Sequence, residues 1–254
     1  MNVFITGGSS GLGLALGVKF LEAGHKVGFC SRSKEKFDEN SKNLLAKFEG
    51  QFCYYECDVT DGEKLKTVVA NFIGDGSIDI MIANAGIPTG KKKRLPNFEI
   101  LRRVIDVNVN GVLNSFEAAL PHMLDQKSGQ IVAVSSLAGY NGLPGVSAYS
   151  ASKSAVMKIC ESFAIDLKRE NISVTALCPG FIKTPLTDIN PHPMPFLLSL
   201  EKGSELMYKA ILKRKKRYSF PFPLFTLVWF LSVLPRPLYI WLMSADKWNY
   251  SVKN

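Results

Sequence analysis

The sequence predicts an α/β protein of one domain, a doubly wound parallel sheet with helices on both faces. Three observations carry that expectation. Short apolar runs at 2–6, 26–30 and 79–83 lack polar alternation, as strands buried on both faces do. Helical patterns of a dozen residues or more separate them, the length that parallel crossovers need. The first run ends in Gly7-Gly-Ser-Ser-Gly11-Leu-Gly13, a glycine turn that opens a helix.

Further elements follow in order. Helical patterns run from the glycine turn through Leu21, then over 34–49, 61–73, 97–123, 149–170 and 200–212. The remaining strands fall at 52–57, 130–135, 172–177 and 218–220. Right-handed crossovers bring the glycine turn and Asn84-Ala85-Gly86 to one carboxyl edge.

A chain of 254 residues buries a large core as one domain. With 46% hydrophobic and 21% charged residues, it is globular rather than disordered. The net charge of +9 is uneven: residues 200–254 carry +7 and all the rest only +2. The basic character belongs to the C-terminal end, which points to an anionic surface and not to nucleic acid. Five cysteines, 30, 53, 57, 160 and 178, form no Cys-x-x-Cys and read as buried free thiols in a reducing compartment. Three scattered histidines offer no metal site. The chain opens into a strand with no basic leader, so a cytoplasmic protein is expected.

Glycines let a backbone approach a pyrophosphate, and the following helix supplies free N–H groups and partial positive charge. Thr6, Gly7, Ser9, Ser10, Gly11, Leu12 and Gly13 are the candidate residues; a tight turn without ligand is the competing reading. The second strand faces the adenosine ribose in dinucleotide folds, where a carboxylate selects NAD. Here Ser31-Arg32 stands instead. A guanidinium suits the 2′-phosphate of NADP(H), though it also suits a solvated loop.

Tyr149 and Lys153 lie one helical turn apart on one face. A phenol loses its proton near pH ~10, and a nearby ammonium favours the phenolate. Such a tyrosine can exchange a proton with a substrate oxygen. Ser136, thirteen residues earlier, can fold back beside it from the strand end.

Taken together, these residues resemble the short-chain dehydrogenase/reductase family over residues 2 to about 220. Thr6-Gly-x-x-x-Gly-x-Gly13, Asp58, Asn84-Ala-Gly86, Asn108, Ser136, Tyr149-x-x-x-Lys153 and Pro179-Gly180 stand in the family's order and approximate spacing. Ala83 departs from it, where many members have a second asparagine. The resemblance implies a Rossmann-type fold and a carbonyl–alcohol oxidoreductase using NADP(H), with NAD(H) as the weaker cofactor. It implies Ser136, Tyr149, Lys153 and Asn108 as the catalytic set, with Asn108 bending its helix and holding a water near the lysine. It extends the cofactor contacts to Asp58, Val59, Asn84, Ala85, Gly86, Pro179, Gly180, Ile182 and Thr184. It also implies a homodimer or homotetramer paired through the helices at 97–123 and 149–170. A non-catalytic NADPH-binding regulator on the same fold is the alternative, and a membrane scaffold a third.

Three stretches lie outside that set. Lys91-Lys-Lys-Arg94 reads as a solvated charge run. Residues 185–198, with four prolines, Met194 and Phe196-Leu-Leu198, read either as an apolar lid over a hydrophobic substrate or as packing on the body. After the last strand, thirty-four residues follow. Their apolar run Leu224–Leu234 spans ~16 Å as a helix, short of the about 20 residues that cross a bilayer. Pro235-Arg236-Pro237 interrupts it. An interfacial hairpin fits, with Trp229, Tyr239, Trp241 and Trp248 at the headgroup boundary and Lys213–Arg217 on anionic lipid. The competing reading packs this segment across a partner subunit or over the substrate pocket.

Overall fold

The computed structural model describes residues 1–89, 97–188 and 193–245. Seven strands, β1 (Asn2–Thr6), β2 (Lys26–Ser31), β3 (Phe52–Glu56), β4 (Ile80–Ala83), β5 (Gly129–Val134), β6 (Ile172–Pro179) and β7 (Arg217–Phe220), pair in parallel throughout. Their order is β3-β2-β1-β4-β5-β6-β7. The chain therefore winds outward in one direction from β1 and in the other from β4. The switch between these two strands opens a crevice at their carboxyl ends.

Among the described residues, ten α-helices complete the fold: α1 (Gly11–Glu22), α2 (Lys34–Leu45), α3 (Gly62–Ile73), α4 (Phe98–Ile105), α5 (Gly111–Gln126), α6 (Ser147–Asp166), α7 (Pro185–Asp188), α8 (Leu200–Leu212), α9 (Phe222–Val233) and α10 (Arg236–Met243). Side chains of α3, α5 and α6 pack on one sheet face around Phe4, Met81, Phe116 and Ile131. Those of α1, α2 and α8 cover the other around Ile5, Phe20, Phe29 and Ile82. Successive residues of β1 and β4 thus enter opposite cores, which explains their unbroken apolarity. Polar caps set several helix starts. Asp61 accepts from Lys64 N, Asn97 from Glu99 N and Ile100 N, and Ser199 from Lys202 N.

Three expected elements differ, one of them the helix expected over 149–170, which starts at Ser147, ends at Asp166 and continues as a 3-10 turn at Leu167–Glu170. The helix expected over 34–49 ends at Leu45 and tightens into a short 3-10 turn at Ala46–Phe48, before Gly50 turns the chain at φ +78°. The helix expected over 97–123 is two α-helices joined by a π-helical turn, Asp106–Asn110, and runs on to Gln126. Such single wide turns accompany functional sites, and Asn108 sits inside this one.

The C-terminal segment is two helices with an extended Leu234 between them. Among the described residues, no helix is long and apolar enough to cross a membrane. Helix α9 packs on the body through one side. Leu224 is 6% exposed and joins the α6-side core, and Phe225 and Val228 pack against it.

Candidate active site

The glycine turn is shaped by a close approach from β4. Gly7 takes φ +69°, which permits its N–H and that of Gly8 to donate to Cys30 O at 2.9 and 3.1 Å. Asn84, just past β4, reaches into the turn and donates from Nδ2 to Thr6 O and Gly7 O, both at 3.1 Å. Thr6 Oγ1 accepts from Asn84 N and Ala85 N in return. A Cβ on Gly13 would run into Gly7 O and Asn84 Nδ2, so only glycine fits there. Ser10 caps α1 in extended conformation without using its hydroxyl on the helix, and no acidic residue stands in the first turn. Polar donors and an uncrowded backbone at a helix start fit a pyrophosphate.

Beyond β2 the chain offers a cation. Ser31 is buried, its Oγ 2.9 Å from the Tyr54 hydroxyl, whereas Arg32 is exposed. Among the described residues Arg32 forms no salt bridge. On β3's side, Asp58 Oδ1 accepts from Thr60 N and Oγ1. Val59 is buried against Gly111, and its carbonyl accepts from Asn114 Nδ2 at 2.8 Å.

The proton-handling residues meet between β4, β5 and α6. Ser136 follows β5, and its Oγ accepts from Ala138 N at 3.1 Å. The Ser136 hydroxyl lies close enough to the Tyr149 phenol to favour its ionised form. Lys153 is 4% exposed; its Nζ donates to Val134 O at 2.8 Å and stands 5.6 Å from the Tyr149 ring centre. Gly86 lies beside this group: a Cβ there would sit 3.3 Å from Asn108 Oδ1 and 3.4 Å from Lys153 Nζ. Asn108 is fully buried, accepting from Ile87 N at 2.8 Å and donating to Ile87 O and Ser152 Oγ, both at 3.1 Å. Ser152 Oγ donates in turn to Tyr149 O at 2.8 Å.

Burial governs the electrostatics. It lowers Lys153 to about 8, opposed by charge interaction with Cys178. It raises Tyr149, opposed by the Ser136 hydrogen bond. The expected lowering of the phenol by Lys153 is thus not what the chain alone produces. The ammonium is itself desolvated and spends a proton bond on Val134 O.

The other side of the cleft comes from the chain after β6. Thr184 is buried against Gly11 of the glycine turn, and its N–H donates to Thr187 Oγ1 at 2.8 Å. Ile182 also arrives here, but its side chain is buried against Gly203 of α8, leaving only its backbone toward the cleft side. Gly180 N donates to Phe220 O at 2.7 Å, and Pro179 O accepts from Ser136 Oγ at 3.4 Å. Phe196 and Leu197 of the expected lid are exposed. Lys91–Arg94 and Trp248 lie outside the described residues.

The short chain dehydrogenase family matches residues 1–193. The chain belongs to that family. It is 37% identical to an uncharacterized oxidoreductase of Myxococcus xanthus, over 92% of this chain and 93% of that one. It is 33% identical to human epidermal retinol dehydrogenase 2, over 92% of this chain and 78% of that one. The solved structure of ElxO with NADP bound is 26% identical, with a TM-score of 0.77, covering 86% of this chain and 96% of that one. This short-chain dehydrogenase is accordingly an oxidoreductase on a Rossmann-type sheet.

Sequence reasoning missed Ser152, whose only signal is a small polar residue between Tyr149 and Lys153. It also missed the Val134 carbonyl, because a backbone acceptor leaves no trace in side-chain identity. The lysine's burial carries a pH signature. Between about pH 8 and 10.5, the unfolded protein holds a proton that folded Lys153 has released. Stability from this group therefore rises with pH across that window, by at most about 3 kcal/mol. Urea unfolding of cofactor-free protein from pH 7 to 10 should show this rise, and Lys153→Met should flatten it. Parallel curves for the two proteins would exclude it.

Proposed function

We propose that this short-chain dehydrogenase interconverts a carbonyl and a secondary alcohol with NADP(H), on an apolar substrate. One observation carries the reading: Ser136, Tyr149 and Lys153 converge at the carboxyl edge, next to a glycine turn held open by Asn84. When bound, the nicotinamide supplies or accepts the hydride. Tyr149 gives its proton to the carbonyl oxygen, or takes it back in oxidation. Ser136 donates a hydrogen bond to the oxygen as negative charge develops there. Lys153 keeps a positive charge one turn from the phenol and would hold the nicotinamide ribose. Asn108 has both side-chain donors engaged inside the protein, so it acts here by fixing Ile87 to Ser152 and the Tyr149 backbone. A water linking Lys153 to solvent would bond main chain at the wide turn rather than this amide. Thr6, Gly7, Ser9, Ser10, Gly11, Leu12, Gly13, Asp58, Val59, Asn84, Ala85, Pro179, Gly180, Ile182 and Thr184 would line the cofactor.

Support for NADP(H) comes from the exposed Arg32 without a salt bridge and from the NADP bound to ElxO. NAD(H) would bind more weakly for want of a carboxylate at that position. The apolar residues of 194–198 and the retinol named for the human relative favour a hydrophobic substrate.

A further reading concerns where the enzyme works. Phe222 and Trp241 are each 73% exposed, and Leu227, Trp229, Phe230 and Ile240 are exposed with them. We assign this face to a bilayer surface on the cytoplasmic side. Two expected anchors are revised. Tyr239 is 5% exposed and turned into the protein, so it cannot reach headgroups. Lys213–Arg217 leads into β7 at the end opposite α9, about 13 Å away along four strand residues. Arg217 is also spent on Glu161 at 2.9 Å. The apolar face, more than the basic cluster, therefore carries this reading. A homodimer through the long helices is the assembly proposed, supported by the 72% exposure of Ile165 on α6.

Three measurements test these readings. Tyr149→Phe should cut NADPH oxidation with carbonyl substrates by orders of magnitude while NADPH fluorescence still reports binding; normal turnover would refute the mechanism. Arg32→Ala should lower the NADPH-over-NADH affinity ratio roughly ten- to hundredfold, the worth of one charge-assisted phosphate contact. An unaltered protein that binds both cofactors equally would sink the preference. In flotation with liposomes, the full chain should rise with neutral and anionic vesicles alike, and Phe222→Ser/Trp241→Ser should stay down. A full-length protein that remains at the bottom would refute the bilayer assignment, and loss of its dimer in Phe222→Ser/Trp241→Ser would assign the face to a second copy instead.

A further inference from the structure

The loop from Leu137 to Val146 joins Ser136 to the helix bearing Tyr149, so its course sets how the two hydroxyls stand to each other. Both loop ends are tied from within the dinucleotide fold. Near Ser136, Gly139 lies against α6, where a Cβ would come within 2.7 Å of the Lys153 carbonyl carbon. Near α6, Leu143 N donates to Ser150 Oγ at 3.4 Å. The middle of the loop is held differently. Tyr239 donates its hydroxyl hydrogen to Gly142 O at 2.7 Å. Asn141 is buried, donating from Nδ2 to Val228 O at 3.1 Å and accepting at Oδ1 from Arg236 Nη1 at 3.4 Å. The Tyr140 hydroxyl lies 2.9 Å from Ser219 Oγ, and its ring meets Phe225 edge-on at 5.7 Å. These partners lie on β7, α9 and α10, so the C-terminal hairpin is what holds the loop centre.

We propose that α9 and α10 brace the loop beside the catalytic hydroxyls, and that Tyr239 is a positioning residue for Ser136 and Tyr149. This rests on the oxidoreductase reading of Ser136 and Tyr149. The chemistry favours a brace over simple packing. A buried tyrosine whose hydroxyl bonds a loop carbonyl fixes that carbonyl's direction as well as its distance. Without the hairpin, the buried Asn141 amide would be left without its partners, at a cost that the loop would relieve by moving.

Tyr239→Phe removes the hydroxyl and keeps the ring, so the packing survives. Hydrogen exchange of the amides of 140–143, 145 and 146 should quicken about three- to tenfold, the scale of one neutral hydrogen bond. Exchange in β2 should stay unchanged. With decanal as the carbonyl probe, kcat should fall by a similar factor, while KM and NADPH affinity stay within about twofold. Arg236→Ala should act in the same direction, and Arg236→Lys less. Unchanged exchange in Tyr239→Phe overturns the brace. Faster exchange with unchanged kcat overturns its positioning role. If no carbonyl supports NADPH oxidation by the unaltered protein, the carbonyl–alcohol reading fails by itself, and the exchange data alone decide the brace.

Discussion

Lys153 places an ammonium almost wholly out of water, and the surrounding elements are arranged to make that tolerable. Its Nζ donates to Val134 O at the end of β5, and its own carbonyl accepts from Ser135 Oγ at 2.7 Å. Both ends of one residue thus pin α6 to one strand terminus. Gly139 can press against the same stretch of backbone because it has no Cβ. An unpaired charge at this depth would be strongly destabilising, so the pin is exacting. Tyr149 stands one turn before it, Ser136 directly after the strand residues it grips, and Gly86 arrives from β4 on the open side.

A second tie crosses the switch point of the sheet. The Asn84 amide fills the space that Gly7 and Gly13 leave empty and engages two carbonyls of the turn. The nucleotide turn and the β4 terminus therefore form one rigid edge. Asn108 extends that edge, because its amide grips Ile87 just beyond Gly86 and passes through Ser152 to the Tyr149 backbone. From glycine turn to tyrosine, the candidate site is a continuous polar lattice lying between two apolar cores. Close packing on both sheet faces limits how far any member can drift.

The C-terminal hairpin answers to a different physics. Helix α9 is apolar on every side, a composition that usually means full burial. Here only the side bearing Leu224 and Val228 is covered, and Phe222 and Phe230 face outward. The covered side does more than fill space. It supplies the carbonyl of Val228 to Asn141, and the following helix supplies Tyr239 to Gly142. The segment after β7 is thereby tied to the loop between Ser136 and α6.

The family, the parallel sheet and the side chains proposed for the candidate site, Ser152 apart, were legible in the sequence, because each rests on local chemistry. Unbroken apolar runs require burial on both faces, glycines mark a crowded turn, and Tyr-x-x-x-Lys places two groups on one helix face by geometry alone. What the sequence left open depends on contacts between distant segments. The wide turn at Asp106–Asn110 reflects a helix that must present Asn108 to Ile87, a pairing no local pattern encodes. The ionisation of Tyr149 and Lys153 turned mainly on burial, which side-chain identity does not show. Tyr239 reads as an interfacial aromatic from composition, yet the tertiary structure turns it inward, since a carbonyl at hydrogen-bond distance outcompetes water once the ring is buried.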